Sequence, residues 1–117
     1  MDLDFREKFL DSYKRQKELG EKYAEAKGQS WQAQEMLSSV KAKLEKHFID
    51  QGLPVSKAEV EAKASKDYED YIKDCSSLLT KELRLKAQYE AEKNRFEAIR
   101  SLSSLEKRTR NLIDGEN

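Results

Sequence analysis

Residues 51–56, with the sequence Gln51-Gly52-Leu53-Pro54-Val55-Ser56, decide the fold of this chain. Pro54 is the only proline among the 117 residues, and Gly52 precedes it by two positions. Glycine adopts the left-handed conformation that often ends a helix, and proline disrupts a helix interior. The stretch therefore predicts a loop that separates two helical regions.

Before this loop, apolar residues recur at spacings of three and four, which indicates a helix with one buried stripe. The predicted helix runs from about Asp4 to about Ile49. Its stripe consists of Phe5, Phe9, Leu19, Tyr23, Ala26, Ala33, Leu37, Val40 and Leu44, with Ser12, Gln16 and Ser30 on the same line. Gly20 and Gly28 each weaken a helix by about 1 kcal/mol relative to alanine, so we expect a kink or local mobility between Leu19 and Ser30.

After the loop, the sequence predicts a short helix over about 57–64 and a long one over about 66–112. Ser56 and Glu59 form a capping-box pattern for the short helix, and Ser65 offers a cap for the long one. Glu82 and Glu92 interrupt the long helix's stripe, and residues 114–117 are expected to fray. The stripe consists of Tyr68, Tyr71, Ile72, Cys75, Leu78, Leu79, Leu85, Tyr89, Phe96, Ile99 and Leu102.

Two long helices joined by a short connector bury their stripes by packing antiparallel. The predicted fold class is therefore all-α: a long, coiled-coil-like antiparallel helical hairpin with a short connecting helix, forming one domain over 1–117. Hydrophobic residues make up 37 % of the chain and charged residues 39 %, too little apolar content for a thick core. We therefore expect the hairpin to form a homo-oligomer that covers more apolar surface.

The residue inventory argues against catalysis and against a cofactor. Cys75 is the only cysteine and His47 the only histidine, so neither a disulfide nor a cysteine cluster for zinc is available. No glycine-rich phosphate loop, HExxH motif or EF-hand loop is present. Carboxylate pairs such as Asp70 and Asp74 are interpreted as solvating a helix face. The sequence predicts no enzyme, no metal and no cofactor.

The sequence also predicts a cytoplasmic protein without a membrane segment. Its first residues are acidic and lack the apolar core of a signal peptide. No stretch approaches the ~20 apolar residues of a transmembrane helix. A single cysteine fits a reducing compartment.

Charge is balanced overall but polarised along the chain. Residues 81–110 carry nine basic and five acidic side chains, for +4, whereas residues 45–74 carry five basic and eight acidic ones, for −3. Such runs either solvate helix faces or form a basic end of the molecule that binds an acidic partner. Under the second interpretation, phosphates are bound from several subunits at once, since the basic residues do not share one face. The candidate nucleic-acid-binding residues are Arg84, Lys86, Lys93, Arg95 and Arg100.

Trp31, the only tryptophan, is the candidate contact for a protein partner. It belongs either to the core or a subunit contact, or to an exposed anchor, because tryptophan is enriched in binding hot spots. Tyr68, Tyr71, Tyr89 and Phe96 are interpreted as core residues, with stacking on bases as the alternative.

Residues 65–101 resemble small helical proteins of phages and prophages, in a Tyr68-to-Leu85 helix start and in the ending Arg95-Phe96-Glu97-Ala98-Ile99-Arg100-Ser101. The pattern from Lys81-Glu82-Leu83-Arg84 to Arg95 and Phe96 is similar to the phage recombination-mediator family of the UvsY type. The resemblance implies an oligomer that binds single-stranded DNA and helps to load a recombinase.

Two functions follow as expectations. The first is a non-enzymatic oligomeric accessory protein that binds single-stranded DNA, acting with a recombination or replication protein of a phage. The alternative is a helical adaptor or inhibitor that binds a protein partner and has no nucleic-acid role, which the zero net charge favours.

Overall fold

The computed structural model describes residues 3–115, and these are helical apart from short connections. Four helices follow one another along the chain: α1 (Leu3–Glu35), α2 (Leu37–Asp50), α3 (Val55–Ala64) and α4 (Lys66–Gly115). The described residues contain no strand, so the all-α prediction is confirmed. None of these helices has the combination of length and apolarity needed to cross a bilayer.

The predicted helix over 4–49 is two helices, because the structure has a turn at Met36. The interruption is slight: the Met36 N–H donates to the Gln32 carbonyl at 3.1 Å, and its own carbonyl accepts from Val40 at 3.0 Å. Gly20 and Gly28 do not interrupt α1, which runs as one helix from Leu3 to Glu35. Packing of the stripe outweighs the low helix propensity of two glycines.

The end of α2 follows the sequence prediction closely. Gly52 has φ +96°, the left-handed conformation that favours glycine. The Gly52 N–H donates to the Ile49 carbonyl at 2.9 Å, and the Leu53 N–H donates to the Phe48 carbonyl at 3.2 Å. These two bonds are a Schellman motif, which satisfies carbonyls that the helix end would otherwise leave unpaired.

The boundaries of α3 and α4 differ slightly from the predicted ones. Ser56 does not cap α3, because that helix already begins at Val55 and the Pro54 carbonyl accepts from the Ala58 N–H at 2.8 Å. Ser65 does cap α4, since its Oγ accepts from the Tyr68 N–H at 3.3 Å. The long helix continues to Gly115 rather than ending at 112. Of the residues expected to fray, 114 and 115 belong to α4, and 116–117 fall outside the described residues.

The chain divides into two compact units, and both long helices contribute to each. Unit 1 combines α1 up to Ala24 with α4 from Arg84 onward, and unit 2 comprises residues 25–83. In unit 1 the two helices are antiparallel, because Phe9 contacts Phe96 while Tyr23, further along α1, contacts Tyr89. In unit 2, α2 packs on α3.

The less exposed residues of α1 and α4 follow a strict heptad pattern. Along α1 and α2 they include every member of the predicted stripe, among them the polar Ser12, Gln16 and Ser30. Along α4 they alternate by three and four from Tyr68 to Glu106, and we call this set the α4 seam. It consists of Tyr68, Tyr71, Cys75, Leu78, Glu82, Leu85, Tyr89, Glu92, Phe96, Ile99, Ser103 and Glu106.

The α4 seam corrects the predicted stripe in one respect. Ile72, Leu79 and Leu102 were expected in the core, but each lies beside the seam and is exposed. Glu82 and Glu92, interpreted as interruptions, occupy seam positions instead. The reason is geometric: only residues in phase with a 3.5-residue repeat stay on the line facing the partner helix, whatever their polarity.

Candidate nucleic-acid interface

The five predicted DNA-binding residues lie on α4, and all five are exposed. The structure separates them into two groups on opposite sides of the α4 seam. Lys86, Lys93 and Arg100 each directly follow a seam residue and are spaced seven apart, so they form one line along one flank. Arg84 and Arg95 fall on the other side. The prediction that the five do not share one face is therefore confirmed.

Lys107 continues the line of Lys86, Lys93 and Arg100, since it lies seven residues further and is also exposed. We call these four residues the basic row. At ~1.5 Å per residue, successive members are spaced by roughly 10 Å along the helix axis. Lys107 was missed as a site residue, although the seven-residue spacing alone would have identified it.

Within residues 3–115, most side chains of the basic row are not engaged in ion pairs. Among residues 3–115, Lys86, Lys93 and Lys107 form no ion pair with another side chain. Arg100 Nε lies 3.8 Å from Glu97 Oε2, an exposed pair that contributes little. Glu90 and Glu97 lie one turn from Lys86 and Lys93 and reduce the local positive potential. The row is therefore suited to moderate, salt-sensitive binding of an anionic polymer.

Arg95 is engaged within unit 1. Its guanidinium donates to Glu92 Oε1 at 3.1 Å and lies 4.0 Å from Asp11 Oδ2. Asp11 in turn lies 3.5 Å from Arg15 Nε. This network holds Arg95 against the helix pair, so the residue has less freedom to reach a phosphate than the basic row has.

A groove with aromatic walls borders the basic row in unit 1. Lys93 lies four residues after Tyr89 and three before Phe96, so it stands on the same helix face between them. Across from Tyr89, Gly20 leaves space, and a Cβ atom there would lie 3.1 Å from the Tyr89 ring. The groove is lined by Tyr13, Gln16, Lys17, Gly20, Glu21, Ala24, Tyr89 and Phe96.

Tyr13 is the aromatic residue of this groove whose side chain is exposed and not packed against another ring. It is about half exposed, whereas Phe96 packs on Phe9 with ring centroids 4.6 Å apart and Tyr89 packs on Tyr23 at 6.1 Å. The core interpretation of Tyr89 and Phe96 is therefore confirmed. Sequence reasoning missed Tyr13, because it belongs to neither stripe.

Tyr71 is likewise a structural residue. Its hydroxyl donates to the Ala33 carbonyl at 2.6 Å, which ties α4 to α1 within unit 2. Desolvation raises the pKa of Tyr71 above its usual value of 10.0, and the neighbouring Cys75 contributes through charge interaction and a hydrogen bond. Cys75 itself is half-buried in the α4 seam.

Trp31 is 65 % exposed, which leaves two of its interpretations, a subunit contact and an exposed anchor for a protein partner. It does not belong to the core of unit 2. An exposed tryptophan is available for a partner, since such residues contribute strongly when a binding surface covers them.

The described residues offer few groups suited to metal binding or acid–base chemistry. Within the described part, no three His, Cys, Asp or Glu side chains come together in a way that would hold a metal ion. His47 is exposed on α2, where its Nε2 lies 3.1 Å from the Gln51 side-chain nitrogen.

Comparisons of the chain with protein-family models, with curated proteins and with solved structures found no match.

Proposed function

We propose that this chain is a non-enzymatic, oligomeric accessory protein that binds single-stranded DNA through the basic row, in recombination or replication of a phage. The observation that carries the proposal is the alignment of Lys86, Lys93, Arg100 and Lys107 on one flank of α4, three of them without an ion pair in residues 3–115. Repeated cationic side chains on one helix bind phosphates without sequence preference.

The groove beside Lys93 supports a single strand over a duplex. Bases of a single strand are free to stack on aromatic side chains, and such stacking tolerates any sequence. Tyr13, half exposed at the groove, offers this surface, while Lys17 adds a further cation to the lining. In this arrangement the phosphates contact the basic row and one base stacks on Tyr13.

The test is fluorescence anisotropy of a labelled single-stranded oligonucleotide, titrated with the protein at several salt concentrations between about 50 and 200 mM. Replacing Lys93 and Arg100 by alanine removes two phosphate contacts. Because each contact contributes about 0.7 to the slope of log K against log salt on a single strand, the slope should fall by about 1.4. Tyr13→Ala should weaken binding with the slope unchanged.

A matched control carries the same loss of charge elsewhere. Lys22 and Lys81 are exposed, lie outside the basic row and form no ion pair among the described residues. Their double alanine variant should bind as the parent does. Equal losses in the two double variants would mean that net charge, rather than the row, determines binding, and no binding by the parent at the lowest salt would exclude the proposal.

A second candidate function, a protein-binding helical adaptor, rests on the exposure of Trp31. The test is a pull-down from nuclease-treated extract with the parent and with Trp31→Ala. A stoichiometric protein partner that the parent retains and the variant loses would favour the adaptor. Equal recovery by both would remove Trp31 from consideration.

A further inference from the structure

The last part of α4 extends past the start of α1 within unit 1. The contacts of Phe9 with Phe96 and of Ser12 with Glu92 fix the register of this antiparallel pair. In that register Leu3, the first residue of α1, lies level with about residue 102 of α4. Residues 103–115 therefore lie beyond α1, over roughly 20 Å at ~1.5 Å per residue. We call this segment the overhang.

The overhang continues the face of α4 that packs on α1 elsewhere in unit 1. The α4 seam ends with Ser103 and Glu106, and its spacing of three and four continues to Arg110 and Ile113. The described residues of unit 1 contain no third helix that could cover this face. A helix face built for packing is thus left without a partner helix.

An open apolar groove runs along the overhang. Leu102, Leu105 and Ile113 line it and are 55 %, 59 % and 59 % exposed, and Phe5 of α1 lines it as well. All of these residues belong to unit 1. Large apolar side chains at this exposure gain free energy when a second helix covers them.

The seam positions of the overhang are complementary to themselves when a second copy is turned around. Ser103, Glu106, Arg110 and Ile113 are spaced by three, four and three residues, so the pattern is the same in both directions. In an antiparallel pair of overhangs, Glu106 faces Arg110 of the other copy, and Ser103 faces Ile113. The same two pairs recur on the other side of the two-fold axis, as an isologous interface requires. Ile113 of the other copy then lies level with Leu102 in the groove.

We infer that two copies of this chain associate antiparallel, end to end, through the overhangs of their α4 helices. Charge selects the direction, because a parallel pairing would place Glu106 against Glu106 and Arg110 against Arg110. Within one chain Arg110 Nη2 donates to Glu106 Oε1 at 2.7 Å. A guanidinium has five N–H donors and a carboxylate has two oxygens, so each group also pairs across the interface. The dimer therefore alternates two carboxylates with two guanidiniums.

This pairing joins the basic rows of the two copies, so the inference deepens the oligomer named in the proposed function and rests on that part of it. Lys107, the last member of the row, lies in the overhang directly after Glu106. The two-fold axis of an antiparallel pair turns the same flank of both helices to the same side. The rows therefore meet at the two Lys107 residues and extend from there in opposite directions. A single strand that follows both rows binds with added avidity.

The test is sedimentation equilibrium of the full chain without DNA, over a concentration series up to about 200 μM, a range that reveals a micromolar Kd. The parent should dimerise. Glu106→Arg and Arg110→Glu should each raise the dimer Kd by about tenfold, because each places like charges opposite each other at two points. An equimolar mixture of the two single variants should recover the parent's Kd, although neither chain regains its internal ion pair.

A second pair of variants tests the apolar groove. Leu102→Asp should abolish the dimer. Leu83→Asp is the matched control, since Leu83 lies on α4 outside the overhang and is 52 % exposed, and this variant should dimerise as the parent does. Circular dichroism verifies that each variant remains helical.

Three outcomes would overturn the inference: a monomeric parent, a dimer insensitive to Leu102→Asp, or a mixture of the charge variants that fails to recover. Anisotropy with single-stranded DNA is measured separately on the same proteins. A dimer that shows the expected variant effects but binds no DNA would support the inference and exclude the proposed function.

Discussion

The hydroxyl of Ser12 donates a 2.7 Å hydrogen bond to Glu92 Oε1 across the antiparallel helix pair of unit 1. Ser12 is fully buried, and the Glu92 side chain is 12 % exposed. The same carboxylate oxygen accepts from Arg95 at 3.1 Å. Two polar residues that break the apolar stripes of their own helices therefore satisfy each other.

The first prediction concerns this contact. Ser12→Ala should lower the free energy of unfolding by about 1–2 kcal/mol, because it leaves a buried carboxylate oxygen with one donor fewer. The double variant Ser12→Ala with Glu92→Leu should be at least as stable as Ser12→Ala alone, since it removes both polar partners. Urea denaturation of the four proteins in the cycle measures both effects. Additive losses would show that the two side chains do not interact.

The second prediction uses two glycines in opposite settings. Gly52→Ala should lower the free energy of unfolding by about 1 kcal/mol, because φ +96° strains any residue with a Cβ atom. Gly28→Ala should raise it by a similar amount, since Gly28 lies inside α1 and its added Cβ meets open space. Thermal unfolding compares them, and shifts of the same sign would contradict the assignment.

The third prediction concerns Gly20, which is helical like Gly28 but faces a neighbour. A Cβ at Gly20 would lie 3.1 Å from Tyr89 Cε2, closer than ordinary van der Waals contact. Gly20→Ala should therefore be less stabilising than Gly28→Ala, because the Tyr89 ring has to shift. The difference between their melting temperatures is the measurement, and identical values would mean that the ring moves freely.

The fourth prediction separates Arg95 from the basic row. Arg95→Ala should lower the stability of unit 1, because it removes a donor from Glu92 and a neighbour from Asp11. Its effect on the salt slope of DNA binding should be smaller than that of Lys93→Ala, whose side chain has no ion pair in residues 3–115. Denaturation and anisotropy on the same preparations test both parts. A larger slope change for Arg95→Ala would reverse the assignment.

The fifth prediction is a pH dependence. The pKa of Tyr71 is raised in the folded chain, mainly by desolvation, so the folded state binds this proton more tightly than the unfolded state does. Its contribution to stability is fully present below the unfolded pKa and is lost as pH rises through the folded pKa. Above about pH 10 the parent should therefore lose stability more steeply than Tyr71→Phe.

The comparison with Tyr71→Phe cancels the contribution of the lysines to the pH dependence, because they titrate in the same range in both proteins. The measurement is urea denaturation at several pH values between about 8 and 11. Parallel pH profiles for the two proteins would show that Tyr71 does not contribute to the pH dependence.

The sequence by itself determined the helical class, the periodic stripes and the helix end at Gly52. These features are local: a 3.5-residue repeat selects a face, and a glycine before a proline ends a helix, whatever the rest of the chain does. The position of the polar residues Ser12, Gln16 and Ser30 on the same stripe could also be predicted, because their spacing continues that of the apolar residues.

The tertiary structure alone decided which residues the stripes meet. The sequence marked Glu92 as an interruption, since a carboxylate opposes burial unless a distant donor satisfies it, and that donor is Ser12, 80 positions away. Likewise Ile72 and Leu79 were assigned to the core by hydrophobicity, but their phase relative to the partner helix leaves them outside it. Spacing fixes a face of a helix, and only packing fixes what covers that face.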